Sequence, residues 1–357
     1  MVKLKMSMLP LKKTFSAVKI SNQLLLKMNI NPLKAPENEA SIMKHWKYTD
    51  KVYISCVCIT FNQEGYIRDA INGMLAQVTD YKFEILIHDD LSTDNTRNII
   101  KKYQEKYPNI IKLVLQKENQ YSKGKKIIPL AVVEAKGEYI ALCEGDDFWV
   151  SQHKIDTQIK ILYQYQNINM CVHNAYTVNS DNKLINLFRY QVNKDQLVPI
   201  LYIYTISGQF SPTASYFFNK KIFLKYIYLY DQFPILDFFI EAILGRNGIF
   251  YLKDKMSVYR YDSIGSWSRN ELSNTSLSLI RNQRMLSALN ILNDAMDNSL
   301  KEEIEYKKSD IYKNIAILSF KQKSYKNIFD AIKKIKKTKC KHYFKILLSF
   351  IILTLRK

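Results

Sequence analysis

The chain has 357 residues, 47% of them apolar, so it is long enough for one large α/β domain with accessory segments. Its net charge of +20 is uneven: residues 1–36 hold seven Lys and no acid, and residues 313–357 hold thirteen Lys or Arg and one acid. The ends carry +7 and +12, which leaves +1 between them. The central domain is therefore not a basic nucleic-acid-binding domain. The basic ends suit an anionic membrane surface as well as they suit nucleic acid.

Neither a secretory signal nor a membrane-spanning helix is evident. The N-terminal lysines are not followed by a continuous apolar stretch. The longest apolar run, residues 346–355, has about half of the roughly 20 residues that a spanning helix needs. Five cysteines without metal-ligand spacing are typical of buried thiols in a reducing compartment. We therefore expect a cytoplasmic protein.

Strand and helix patterns alternate after a basic extension, residues 1–50, which prolines interrupt. Continuous β-branched and apolar runs predict buried strands at residues 52–59, 83–88, 110–115 and 139–143. Apolar residues at helical spacing predict helices at residues 66–77, 99–107 and 154–165, with a short helix ending near residue 136. This alternation predicts an α/β fold with a mostly parallel sheet flanked by helices.

The second half of the chain has a less regular pattern. It predicts strands at 170–179, 183–189, 249–253 and 256–261, an extended segment at 208–219 and a helix at 235–244. After residue 270 the pattern is helical and becomes basic. We therefore divide the chain into the extension (1–50), a domain at 51–268 with halves 51–150 and 151–268, and a helical basic region at 269–357.

Three polar clusters, residues 60–64, 89–94 and 144–147, directly follow three of the predicted strands. Ligands of parallel sheets bind beyond the carboxyl ends of the strands, so the clusters predict one shared site. Carboxylates around Gly145 suit Mg²⁺ or Mn²⁺, which proteins commonly hold with one or two carboxylates and substrate phosphates. A solvated acidic turn is the alternative. The chain has neither G-x-G-x-x-G after the first strand nor G-x-x-x-x-G-K-[ST], so a glycine-rich phosphate loop is not expected.

The motifs S-C-V-C-I-T-F-N-Q-E-G-Y-I, F-E-I-L-I-H-D-D-L-S-T-D-N-T and G-E-Y-I-A-L-C-E-G-D-D-F-W closely resemble, in this order and spacing, those of the family 2 glycosyltransferases. The resemblance covers roughly residues 52–267. It implies a GT-A fold, which is a Rossmann-like, mostly parallel sheet flanked by helices, here with a C-terminal helical extension. It also implies inverting transfer from a nucleotide sugar, usually linked to UDP, with Mn²⁺ or Mg²⁺ as cofactor.

The resemblance implies a nucleotide-binding role for residues of the first two motifs, with Phe61 against the base. Carboxylates of the second motif can accept hydrogen bonds from a base or from ribose hydroxyls, although helix capping is the alternative and is favoured for Asp94. The expected nucleotide-sugar ligands are Thr60, Phe61, Glu64, Asp89, Asp90 and Asp146.

The family's D-x-D motif, which binds ribose and the metal, corresponds to Glu144-Gly145-Asp146. Glu144 stands where Asp is usual, so the expected metal ligands are Asp146 and the adjoining Asp147. Asp262 occupies the place of a family His near the metal and is the third candidate. A diphosphate contact through Arg260 or Trp267 is the alternative for that loop.

The resemblance also places a catalytic base at the start of a helix in the second half, where Asp237 stands. An inverting transfer needs such a carboxylate to take the proton of the acceptor hydroxyl. A helix N-cap is the alternative role for Asp237. Glu241, four residues later on the same helix face, is the fallback base.

The expected enzyme is a hexosyl- or N-acetylhexosaminyltransferase that acts on a glycan or lipid-linked acceptor. Its expected role is cell-surface polysaccharide, lipopolysaccharide or capsule synthesis at the inner face of the plasma membrane, which the basic C-terminal helices would contact. A metal-dependent nucleotidyl or phosphoryl transferase could use the same acidic cluster. A protein that binds nucleic acid through its basic tails is the second alternative, but no nucleic-acid partner is expected.

Overall fold

The computed structural model describes residues 28–261, 263 and 275–335. Within these residues, ten strands form one mixed sheet. The strands are β1 (Ile54–Thr60), β2 (Phe83–Asp89), β3 (Ile111–Leu115), β4 (Tyr139–Glu144), β5 (Phe148–Trp149), β6 (Met170–Val178), β7 (Leu184–Leu187), β8 (Gln196–Val198), β9 (Phe217–Asn219) and β10 (Ile249–Arg260). Their order is β3-β2-β1-β4-β9-β6-β10-β5, with β7 beside β6 and β8 beside β10.

Helices connect and cover these strands. Those of the sheet domain are α1 (Ala40–Met43), α2 (Ile67–Leu75), α3 (Thr96–Lys106), α4 (Ile127–Glu134), α5 (Lys154–Gln164), α6 (Ile200–Thr205), α7 (Lys220–Lys225), α8 (Ile227–Tyr230) and α9 (Asp237–Leu244). Three longer helices follow them, namely α10 (Thr275–Ala295), α11 (Lys301–Lys321) and α12 (Tyr325–Lys334). In the described part of the chain, no helix is both long and apolar enough to cross a membrane.

The predicted α/β fold class is confirmed. Strands β3, β2, β1 and β4 are mutually parallel, as their continuous apolar sequences predict. The second half of the sheet is mixed: β9 runs antiparallel to both β4 and β6, whereas β6 and β10 are parallel. Apolar side chains fill both faces of the sheet, one face beneath α2, α3 and α5 and the other beneath α4, α9, α10 and α11.

Two predicted elements differ from the structure. The strands expected at residues 249–253 and 256–261 are one strand, β10, whose register against β6 shifts between Leu252 and Ser257. The exposed polar residues at this irregularity interrupt the apolar run, so the sequence suggests two strands. The segment predicted to be extended at 208–219 contains a 3₁₀ turn, Thr213–Ser215, and only its last residues join the sheet as β9.

The described residues before β1 pack on the domain. The Tyr107 hydroxyl donates to the carbonyl of Pro36, and the Glu39 carboxylate accepts from the backbone N–H of Asn109 at 2.7 Å. At the other end, Lys307 Nζ of α11 donates to the Ile206 carbonyl at 2.7 Å. The domain limits at residues 50 and 268 stay predictions.

Candidate active site

The three polar clusters meet at one edge of the sheet. Thr60 lies beside Asp89 in the register of β1 and β2, and Ile59 lies beside Glu144 in the register of β1 and β4. The clusters are a first loop (residues 60–64), a second loop (residues 89–96) and an acidic turn (residues 144–147). They lie together because parallel strands direct their carboxyl ends to one edge.

Reciprocal hydrogen bonds join the first loop to the second. The Glu64 N–H donates to Asp94 Oδ2 at 3.0 Å, and the Asn95 N–H donates to Glu64 Oε2 at 2.8 Å. Asp94 also accepts from the N–H of Thr96, the first residue of α3, whereas the N-cap residue of that helix is Asn95. The Glu64 carboxylate is therefore engaged by protein backbone, whereas the neighbouring Phe61 ring is 46% exposed at the same edge.

Asp89 and Asp90 have different environments. Asp90 Oδ1 accepts from the Gln120 N–H at 2.7 Å, and Oδ2 accepts from the Tyr121 N–H at 3.0 Å, so this carboxylate holds the loop before α4. Asp89 Oδ1 accepts from the Ser92 N–H and from Arg97 Nε. Asp89 Oδ2 has no hydrogen-bond partner among the described residues. Both side chains are buried, and Asp89 retains the free acceptor.

The acidic turn packs directly against the first loop. The Gly145 N–H donates to the Ile59 carbonyl at 3.0 Å, and the Asp147 N–H closes the turn on the Glu144 carbonyl at 3.0 Å. The Thr60 hydroxyl, predicted as a nucleotide ligand, donates to Gln63 Oε1 at 2.8 Å and faces Gly145. A side chain at residue 145 would have to displace the Gln63 side chain and press on the Thr60 hydroxyl.

Buried negative charge concentrates at the acidic turn. Burial, together with Asp146 and Asp237, raises the pKa of Glu144 to about 8. Burial, followed by the charges of Asp146 and Glu144, also raises the pKa of Asp147 well above its ordinary range. Asp147 is 1% exposed, and its Oδ2 has no hydrogen-bond partner among the described residues. Such a cluster favours a bound cation, which would relieve the repulsion between the carboxylates.

The described carboxylates fit a cation that is shared with substrate phosphates. Within the described residues, no group of three or more His, Cys, Asp or Glu side chains is arranged to hold a metal ion by itself. Asp146 and Asp147 supply one or two carboxylates, the number that Mg²⁺ commonly takes when phosphates complete its coordination. The third predicted ligand, Asp262, lies outside the described residues, as does Trp267.

Asp237 lies in the first turn of α9, where it is half-buried. Its side chain makes no N-cap hydrogen bond, because the N-cap residue is Leu236. Burial raises the pKa of Asp237, and the positive charges of Lys126 and Arg281 act in the opposite direction. Its charge contributes to the raised pKa of Glu144, so Asp237 lies near the acidic turn.

Glu241, the fallback base, is fully buried in a hydrogen-bond network. Its Oε1 accepts from the Tyr216 hydroxyl at 2.7 Å and from the Ser211 N–H at 3.1 Å. Burial raises its pKa to about 8. These contacts give Glu241 a structural role within the domain, which leaves Asp237 as the more accessible carboxylate of α9.

Two further residues contact the acidic turn, and the sequence did not predict either contact. The Ser263 hydroxyl donates to Asp146 Oδ2 at 2.6 Å. Arg260 is 2% exposed, and its backbone N–H donates to Asp147 Oδ1 at 2.8 Å. Its guanidinium donates to Asp69 and to the Asp146 carbonyl.

A parallel βα half with carboxylates at its carboxyl edge, joined to a mixed half that carries Asp237, defines a GT-A-type α/β protein. The profile described as Glycosyl transferase family 2 matches residues 55–235, and the chain belongs to this family.

Relatives of known sequence extend over most of the same domain. An uncharacterized protein of Mycobacterium tuberculosis is 31% identical over 226 residues, which cover 60% of each chain. The poly(ribitol-phosphate) beta-N-acetylglucosaminyltransferase TarS of Staphylococcus aureus is 25% identical over 256 residues, 70% of this chain and 42% of TarS. Each match spans less than two thirds of the relative's length. A crystal structure of TarS residues 1–349 with UDP-GlcNAc aligns with a TM-score of 0.49 at 17% identity, covering 78% of this chain and 90% of that one.

Proposed function

We propose that this protein is a metal-dependent, inverting glycosyltransferase. It transfers a hexosyl or N-acetylhexosaminyl group from a nucleotide sugar to a glycan or lipid-linked acceptor. The expected donor is a UDP-sugar. The observation that carries the proposal is the acidic turn, which lies near Asp237 of α9 and adjoins the first and second loops. Family membership supplies the reaction class.

The nucleotide lies at the edge formed by the first two loops. The exposed Phe61 ring stacks on the base, because aromatic faces bind bases without regard to their hydrogen-bonding pattern. Asp89 Oδ2 is the free acceptor for a ribose hydroxyl or a base N–H. Asp90 supports the nucleotide site indirectly, by holding the loop before α4. Glu64 supports it by its hydrogen bonds to the second loop. Thr60 positions the Gln63 side chain against the acidic turn.

The acidic turn holds the diphosphate end of the donor. Asp146 and Asp147 would hold the divalent cation, with Asp262 as the third candidate ligand. A cation held there would supply Lewis-acid stabilisation of the departing diphosphate. Glu144 has a raised pKa and a longer side chain than the Asp that is usual in the family, so we do not assign it as a ligand.

Asp237 acts as the general base. Its carboxylate takes the proton from an acceptor hydroxyl as that oxygen attacks the anomeric carbon of the donor. The new oxygen–carbon bond forms on the face opposite the leaving group, and the bond from the anomeric carbon to the diphosphate oxygen breaks. The products are an inverted glycoside, a nucleoside diphosphate and protonated Asp237. Its raised pKa, closer to neutral, suits a group that must accept a proton.

The biological setting follows from the relatives and from the basic ends. TarS is named for transfer of N-acetylglucosamine to poly(ribitol-phosphate), and we place this chain in cell-surface polysaccharide, lipopolysaccharide or capsule synthesis. Helix α12, the last helix of the described residues, exposes Tyr325 (60%) and Phe329 (63%) one turn apart, with Lys326 and Lys333 also exposed. Aromatic rings beside lysines suit peripheral contact with the anionic inner face of the plasma membrane.

The decisive experiment is a screen of nucleotide sugars with the full-length protein and Mn²⁺, scored for release of nucleoside diphosphate. We expect one donor to be consumed, and consumption to stop when EDTA removes the metal. Asp146→Asn should lower kcat/KM by about 10²-fold or more, the scale reported for losing one group that stabilises developing charge.

The matched control is Asp297→Asn, which removes an exposed carboxylate from the turn between α10 and α11. It should leave turnover unchanged. Release of pyrophosphate or nucleoside monophosphate in place of nucleoside diphosphate would favour a nucleotidyl or phosphoryl transferase. Donor turnover that is indifferent to both EDTA and Asp146→Asn would contradict the proposal.

A further inference from the structure

Arg260 lies behind the acidic turn and is almost completely buried. The guanidinium Nη1 donates to the carbonyl oxygen of Asp146, and the backbone N–H of Arg260 donates to Asp147 Oδ1 at 2.8 Å. One residue at the end of β10 thus holds two consecutive residues of the turn, one by its backbone and one by its side chain. Neither bond uses the Asp146 carboxylate, which stays available for a ligand and for Ser263.

The other end of the guanidinium is fixed to two different elements. Nη2 donates to Asp69 Oδ2 of α2 at 2.8 Å and to Asn182 Oδ1 at 2.6 Å. The Asp69 carboxylate is the counter-charge of the buried cation. Asp69 and Asn182 thus hold the guanidinium through contacts outside the acidic turn.

Two aromatic rings lie close to the guanidinium. Its central carbon lies 4.6 Å from the centroid of the Tyr66 ring and 5.0 Å from that of the Phe148 ring. Phe148 directly follows the acidic turn and Tyr66 directly precedes α2. A planar guanidinium beside aromatic rings can serve acceptors in several directions, which a lysine ammonium cannot do with the same geometry.

Asn182 is itself held by the segment that precedes the sheet domain. It adopts a left-handed backbone conformation with φ of 62°, which Asn tolerates better than most residues. Its carbonyl accepts from the Ile30 N–H at 3.0 Å, and the Leu184 N–H donates to the Met28 carbonyl at 2.9 Å. Residues 28–30 therefore support the turn that presents Asn182 to Arg260.

We propose that Arg260 is a positioning residue for the acidic turn: it fixes the backbone of Asp146 and one oxygen of Asp147, so that the turn presents its remaining carboxylate oxygens to a divalent cation. The assignment of a divalent cation to the turn rests on the proposed function, whereas the positioning role rests on the contacts of Arg260 alone. Arg260 touches neither the cation nor the diphosphate in this role. This replaces the direct diphosphate contact that the sequence offered as an alternative.

Two readouts on the full-length protein test the proposal. The first is hydrogen–deuterium exchange of the backbone amides of residues 144–147, which needs no ligand. The second is the affinity for Mn²⁺ in the presence of UDP, measured by electron paramagnetic resonance. In Arg260→Met, we expect faster exchange confined to the turn and its neighbours. We also expect Mn²⁺ affinity to fall about 10- to 100-fold, the effect typical of losing a group that orients metal ligands.

Arg260→Lys keeps the charge but loses the fork, so its Mn²⁺ affinity should lie between those of wild type and Arg260→Met. Ile100→Ala is the control for general destabilisation, because Ile100 is fully buried in α3. It should leave exchange in the turn and Mn²⁺ affinity at wild-type values.

Equal exchange of the turn in Arg260→Met and Ile100→Ala would overturn the positioning role. If the turn is loosened in Arg260→Met but wild-type protein binds no Mn²⁺, the positioning role stands and the proposed metal fails. Loosening of the turn with unchanged Mn²⁺ affinity would overturn the link between turn geometry and metal binding.

Discussion

Gly145 of the acidic turn faces Thr60 of the first loop so closely that a Cβ atom on Gly145 would lie 2.9 Å from Thr60 Oγ1. The same added atom would press on the Gln63 side chain, which accepts a hydrogen bond from that hydroxyl. The proposed metal-binding and nucleotide-binding segments are thus in direct contact. A side chain at residue 145 would disturb this contact by displacing Gln63.

Gly145→Ala should therefore destabilise the protein and weaken donor binding together. An added methyl group in a packed site costs about 1–3 kcal/mol, and here it must displace Gln63 and its bond to Thr60. Chemical denaturation measures the free energy of unfolding, and the KM of the donor measures the second effect. Gly65→Ala is the control, because a Cβ on Gly65 meets no atom within 4 Å and should change stability by less than about 0.5 kcal/mol. Equal effects of the two substitutions would contradict the packing argument.

Asp237→Asn should lower kcat while leaving donor binding intact. Asparagine has nearly the same shape but cannot take the acceptor proton, and a general base contributes about 10²- to 10⁴-fold to the rate. For wild type, kcat should fall as the pH falls through the pKa of Asp237, because only the ionised carboxylate is a base. Steady-state kinetics over a range of pH check both statements. A wild-type kcat in Asp237→Asn would remove this residue from the mechanism.

Glu241→Gln should change the pH dependence of stability. Burial raises the Glu241 pKa from 4.5 to about 8, so the folded protein binds a proton there that the unfolded chain releases above pH 4.5. The contribution of Glu241 is therefore fully present below pH 4.5 and declines as the pH rises towards 8. Glutamine resembles the protonated form and can accept from Tyr216 and Ser211.

The unfolding free energy of Glu241→Gln should thus fall less between pH 5 and pH 8 than that of wild type, by up to about 4 kcal/mol. Urea denaturation at the two pH values measures the difference. The substitution should leave kcat near its wild-type value when both proteins are folded, in contrast to Asp237→Asn. Parallel pH profiles of stability would show that Glu241 is ionised in the folded protein.

The parallel half of the fold was predictable because its signals are local. Strands β1, β2 and β4 are buried on both faces, so each is a continuous apolar run that ends where polar residues begin. The β10 strand was split in the prediction, since polar residues interrupt its apolar run at the register shift.

The internal contacts of the site could not be predicted from the sequence. Asp90 and Asp89 are adjacent acids, and only the tertiary structure shows that Asp90 bonds amides 30 and 31 residues away. Arg260 lies 114 residues after Asp146, a separation that no local pattern bridges. Glu241 shares a helix face with Asp237, but its burial depends on Tyr216 and Ser211 from another segment.

Replacing Tyr325 and Phe329 by Ser should weaken binding of the full-length protein to vesicles that contain phosphatidylglycerol. The two exposed rings of α12 would bury apolar area in the membrane interface, and losing that area should lower affinity by about tenfold or more. Co-sedimentation with the vesicles measures the affinity. The control replaces Tyr228 and Ile185 by Ser, which are exposed on other elements of the domain. If both double variants bind the vesicles as wild type does, membrane contact through α12 is wrong. Loss of binding in the α12 variant alone would locate the membrane contact on this helix. Because the substitutions leave the net charge unchanged, that loss would also separate the role of the rings from that of the basic residues around them.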